Sequence, residues 1–97
     1  MVTIVAVIKS MIGKENEMES AFREMIEKVR DEEWTTTYVL HRSAADPTIF
    51  MFYEQYKDDE AFSKHSSTDY LSEMFERIET IIDGEPSISM YEELSRK

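Results

Sequence analysis

The sequence predicts an α+β domain built on one antiparallel sheet with helices packed against a single face. Two observations carry this. Four β-rich segments, at 2–8, 34–42, 49–56 and 87–92, alternate with stretches of helical spacing in the order β-α-β-β-α-β. The helical stretches are amphipathic, so each has one apolar stripe to bury.

Residues 2–8 (VTIVAVI) are continuously apolar apart from Thr3, which reads as a strand buried on both faces. Ile12-Gly13 breaks this run. Over 14–31, Met18, Phe22, Met25, Ile26 and Val29 share one stripe with charges between them. Residues 34–42 (WTTTYVLHR) favour a strand. SAADPT at 43–48 is turn chemistry, because Asp46-Pro47 bends the chain and stops pairing. Residues 49–56 (IFMFYEQY) form the third strand and make 34–56 a hairpin. Asp58-Asp59-Glu60 starts a short helix to about Lys64, since carboxylates accept from free amides and suit the positive helix end. Ser66-Ser67-Thr68 is a second start. A helix over 69–83 follows, burying Leu71, Met74, Phe75, Ile78, Ile81 and Ile82, with Gly84 and Pro86 as its stop. SISMYE at 87–92 is a last strand and 93–97 a polar tail. This order is the ferredoxin-like split βαβ arrangement. With no repeat or linker, residues 1–97 read as one domain.

Composition narrows the chemistry. The net charge of −10, from 21 acidic and 11 basic residues, argues against nucleic acid and against an anionic membrane surface. No Cys is present, which excludes disulfides, thiolate metal sites and thiol nucleophiles. Two His, His41 and His65, cannot make a three-His metal site in one chain, and no metal is expected. Asp58-Asp59-Glu60 lacks the spacing and Gly of a calcium loop. The apolar run at 2–8 is too short for a membrane span and has no basic leader, so a cytoplasmic protein is expected.

The strands also predict a partner. Helices can cover only one face, yet the first strand is apolar on both parities (Ile4, Ala6, Ile8 against Val5, Val7). So is the third (Phe50, Phe52, Tyr56 against Ile49, Met51, Tyr53). A second copy packed sheet to sheet would cover the bare face and make a dimeric α/β barrel, so a homodimer through the sheet face is expected.

The same alternation places a candidate site. Even-numbered hairpin residues, Tyr38, Leu40, Phe50, Phe52, Glu54 and Tyr56, should face the helices. Glu54 is then a lone carboxylate on an apolar face, and an inward-pointing His65 would meet it. A carboxylate and an imidazole in an apolar pocket can do acid–base work, His65 taking a phenolic proton and Glu54 steadying the cation. Tyr38, Tyr56 and Tyr70 could bind substrate oxygens, with Trp34, Phe52 and Met74 as pocket walls. Structural roles fit the same residues. Glu54 could be satisfied by a neighbour, His65 could cap the helix end, and the Tyr side chains could be core. Trp34 fits a pocket wall or a dimer contact equally.

The stretches VTIVAVIKSMIGKENEMESAF, TYVLHRSAADPTIFMFYEQYKDDEAFSKHSST and ISMYE, with Gly13, Tyr38, Leu40, Pro47, Tyr53-Glu54, Tyr56 and His65 in order, resemble the antibiotic biosynthesis monooxygenase family. The resemblance spans nearly the whole chain. It implies a cofactor-independent oxygenase of a small aromatic or quinol substrate, which itself supplies electrons to oxygen. The chain departs from the family where Glu33-Trp34 replaces Gly-Cys, Tyr56 replaces Trp and Asp69 replaces a second His. The Asn, Trp and His of the haem-degrading branch are absent, so haem degradation is not expected. Three functions follow for test: the oxygenase, a dimeric module that binds an aromatic molecule without turnover, and an isomerase of a small metabolite with a more polar pocket.

Overall fold

The structure, a computed structural model, describes all 97 residues. Its elements are β1 (Val2–Lys9), α1 (Glu15–Val29), β2 (Thr35–Arg42), β3 (Ile49–Tyr56), α2 (Asp59–Ser66), α3 (Asp69–Ile78) and β4 (Ser87–Glu92). The sheet order is β2-β3-β1-β4, antiparallel throughout. This is the ferredoxin-like α+β fold, with β3 lying between β1 and β2 and the helices on one face.

Sequence chemistry accounts for the boundaries. Gly13, at φ 90°, turns the chain into α1, and its N–H donates to the Glu15 carboxylate at 2.9 Å. Asp58 caps α2 by accepting from the Ala61 N–H at 2.9 Å. Thr68 precedes α3 without capping it. Its hydroxyl instead donates to the His65 carbonyl at 2.8 Å, closing the end of α2. The helix expected to run to residue 83 stops at Ile78. Ile81 and Ile82 turn back on Ile78, Ile82 bridges to Ser10, and Asp83 N–H donates to the Lys9 carbonyl. Their apolar side chains therefore serve a closing turn rather than another helical turn.

The core lies between the sheet and α1 and α3. Ala6, Ile8, Phe50 and Phe52 of the sheet meet Met18, Phe22, Met25 and Ile78. Phe22 packs edge-on against Phe50 and Phe52, with ring centroids 5.5 and 5.0 Å away. A smaller cluster, Ile4, Tyr56 and Ala61, sits under α2.

The far face of the sheet has no helix over it. Val7 is 36% exposed and Val39 43%, while Val5, Ile49, Met51 and Tyr53 are half-buried. One end of this face is closed by the tail expected to be merely polar: Gln55 donates to Thr3 and Glu93, and Arg96 donates to Gln55. On β4, Ile88 and Met90 pair with Ala6 and Ile4, so they point to the helix side, yet both are more than half exposed.

Candidate functional site

The alternation of β3 delivers Glu54 to the helix face, where it pairs with Ile4 of β1 and Tyr38 of β2. It is 5% exposed, and its Oε1 accepts from the Tyr56 hydroxyl at 2.6 Å. The satisfying neighbour allowed for in the sequence is thus Tyr56. Burial pushes the Glu54 carboxyl up to about 7; the Tyr56 hydrogen bond opposes this and the nearby Glu32 charge adds to it. Burial, followed by the charge of Glu54, likewise holds the Tyr38 and Tyr56 hydroxyls above the ordinary phenol range.

His65 lies in the last turn of α2 and, with Ala61 one turn earlier, forms the buried face of that helix. Its ring points inward, 2% exposed, rather than capping the helix end. The rings of Tyr38 and Tyr56 lie 5.2 and 5.5 Å from it. Nε2 stands 3.9 Å from Glu54 Oε1, within ion-pair reach but beyond a hydrogen bond. On the other side, Nδ1 lies 3.0 Å from Oε1 of Glu32.

Glu32 was not singled out from the sequence. It belongs to a Glu-Glu pair between a charged helix end and a strand, which reads as solvent-facing, yet Glu32 is buried and Glu33 exposed. Thr35 donates to Glu32 Oε1 at 2.6 Å. Thr35 is odd-numbered, and strict alternation would turn it outward. The pairing of β2 shifts register between Thr35 and Thr37, so Thr35 lies opposite the inward Tyr56 and Thr37 opposite the outward Gln55. This bulge gives the helix face a hydroxyl that alternation denies it.

A narrow cavity of about 60 Å3 adjoins the pair, bounded by Tyr38, Phe52, Phe62, His65, Met74 and Ile88. Glu54 reaches it as well, and most of the wall is apolar. Of the expected pocket residues, Tyr38, Phe52 and Met74 line it. Trp34 and Tyr56 do not; they lie in the cluster with Ile4 and Ala61, where the Tyr56 hydroxyl donates to Glu54. Tyr70 is a correction: it faces a separate groove between α1 and α3, beside Met25 and Arg77, because its place in the first turn of α3 directs it toward α1. No group of three or more His, Cys, Asp or Glu side chains is placed to hold a metal ion. His41 is exposed, and Arg42, also exposed, pairs with Glu19.

A buried imidazole between two carboxylates, one of them titrating near neutrality, can accept and return a proton beside a largely apolar cavity. The family model for antibiotic biosynthesis monooxygenases matches residues 1–77. The chain belongs to this family. Among solved structures, one described as an antibiotic biosynthesis monooxygenase is similar at a TM-score of 0.91 and 21% identity, over 98% of this chain and 100% of the other. The protein PA3566 from Pseudomonas aeruginosa is similar at 0.89 and 24%, over 97% and 94%. Rv0793 from Mycobacterium tuberculosis is similar at 0.90 and 16%, over 98% and 96%. At these identities the likeness speaks for the fold. No curated protein matches the chain. No helix is long and apolar enough to cross a membrane.

Proposed function

We propose that this member of the antibiotic biosynthesis monooxygenase family oxidises a small quinol or related phenol without a cofactor, working as a homodimer. The observation that carries the reading is the buried contact of His65 Nε2 with Glu54, 3.9 Å apart at the wall of an apolar cavity. His65 takes the proton of a phenolic hydroxyl. The resulting phenolate is the electron donor and dioxygen the acceptor. One quinol and one dioxygen give one hydroxyquinone and one water, the substrate supplying all four electrons. Glu54, steadied by Tyr56, faces the imidazolium, and the apolar walls keep water from the reactive anion.

The cavity is small. At about 60 Å3 it falls below the few hundred Å3 usual for a ligand pocket, so a ring enters only if the half-buried Phe62, Leu71 and Phe75 at its wall swing outward. Oxygen uptake with a panel of hydroquinones tests the reading. Turnover that falls at least ~100-fold in His65→Ala supports it. Binding without turnover by any member of the panel would instead make the protein a binding module.

The dimer draws its support from the bare sheet face, where Val5, Val7, Val39, Met51 and Tyr53 form one apolar surface that a second sheet could cover. Sedimentation should give twice the chain mass, and Val7→Lys should return it to the single-chain value. A single-chain mass for the unaltered protein at micromolar concentration would remove this part of the reading.

A further inference from the structure

We propose that Glu32 is the positioning residue for His65: it keeps the proton of the neutral imidazole on Nδ1 and leaves Nε2 bare toward Glu54 and the cavity. The catalytic consequence rests on the acid–base reading above; the tautomer does not.

Nδ1 and Glu32 Oε1 are 3.0 Å apart, and each side chain is 3% exposed. A carboxylate can only accept, so the nitrogen facing it must carry the hydrogen. A neutral imidazole has one N–H, and Nε2 is then a lone pair. No other group competes for it: Glu54 Oε1 is too far for a hydrogen bond, and the Tyr56 hydroxyl is engaged with Glu54.

Glu32 is itself held in place. Its N–H donates to the Val29 carbonyl at 2.8 Å, and its carbonyl accepts from the Thr35 N–H at 3.3 Å. The Thr35 hydroxyl grips the same carboxylate oxygen that faces His65. That hydroxyl is on the helix face only because of the bulge at the start of β2. The end of α1, the loop after it and the start of β2 thus fix the far side of an imidazole carried by α2. With the hydrogen on Nε2 instead, the ring would present a donor to the cavity and could not take a phenolic proton.

Long-range 1H–15N correlation spectra of uniformly labelled protein, above the imidazole titration, test this directly. His41→Gln removes the second His signal without touching the site, since His41 is exposed. The expected spectrum has a protonated Nδ1 and a bare Nε2 for His65. In Glu32→Ala, or Glu32→Leu if the alanine variant does not fold, the hydrogen should move toward Nε2. With an active quinol substrate, kcat should then fall at least ~10-fold with KM little changed. A hydrogen on Nε2 in the unaltered protein overturns the proposal, as does a tautomer that ignores the loss of Glu32. Failure of every quinol to turn over would count against the oxygenase reading alone and leave the tautomer result standing.

Discussion

Replacing Glu54 with Gln should stabilise the fold above neutral pH while abolishing the proposed activity. The folded Glu54 carboxyl, pushed up to about 7 mainly by burial, has an ordinary value of 4.5. Between those values the folded chain keeps a proton that the unfolded chain has released. Stability therefore falls as pH rises through that window and stays lower above it. At about 1.4 kcal/mol per tenfold change, the full effect is about 3 kcal/mol. Below pH 4.5 both states are neutral at this position and the effect vanishes. Gln is neutral at every pH, and its carbonyl can still accept from Tyr56. Glu32, His65, Tyr38 and Tyr56 also face the site and couple to Glu54, so the gap includes their interaction with its charge as well as the cost of its burial. Urea unfolding at fixed protein concentration, followed from pH 4 to pH 8.5, should show near-equal stabilities at the acid end. A gap of about 3 kcal/mol in favour of the variant should open by pH 8, worth more than ~10 °C in Tm for a chain this size. A gap that does not grow with pH, or a variant less stable at pH 8, would refute the assignment of Glu54 as a buried carboxyl strained by ionisation.

Two further outcomes test the scaffold. Phe22→Ala removes a fully buried ring and two edge-on contacts, and should cost about 3–5 kcal/mol, read as a fall in the urea midpoint. Asp58→Ala removes the cap of α2 and should cost about 1 kcal/mol with an unchanged denaturant slope.

Much of this was legible because it follows from periodicity. The parity of β3 alone separates Phe50, Phe52, Glu54 and Tyr56 from Ile49, Met51 and Tyr53, and the structure keeps that separation. For His65 the sequence left an inward ring and a helix-end cap both open; the structure turns it inward beside Ala61 on the buried face of α2. What periodicity cannot show is where it is broken. The bulge at Thr36 reverses the parity of Thr35, and nothing in the run Thr35-Thr36-Thr37 marks which residue is extra. Glu32 was hidden for a related reason: its burial comes from a partner 33 residues away, while local pattern sees only one of two adjacent glutamates. The end of α3 was misplaced because Ile81 and Ile82 continue a helical stripe but are buried by a turn against β1. Tyr70 was misjudged because its place in the first turn of α3 turns it toward α1 and away from the cavity.

The strand β3 ties assembly to chemistry. Its even residues carry the carboxylate and the cavity wall, and its odd residues carry the apolar surface proposed to meet a second copy. A slip of one residue against β1 would turn Glu54 outward and bring Tyr53 in, moving a charge onto the bare face and stripping His65 of its neighbour in one step. The register is held from both sides, by β1 along all eight residues of β3 and by β2 up to its bulge. The bulge sits at the strand end next to the site rather than at the hairpin, so the extra residue re-aims Thr35 without disturbing the pairing of Tyr38 with Glu54. That placement explains how one irregularity supplies the hydroxyl that grips Glu32 and still leaves the pairing of the rest of the sheet regular.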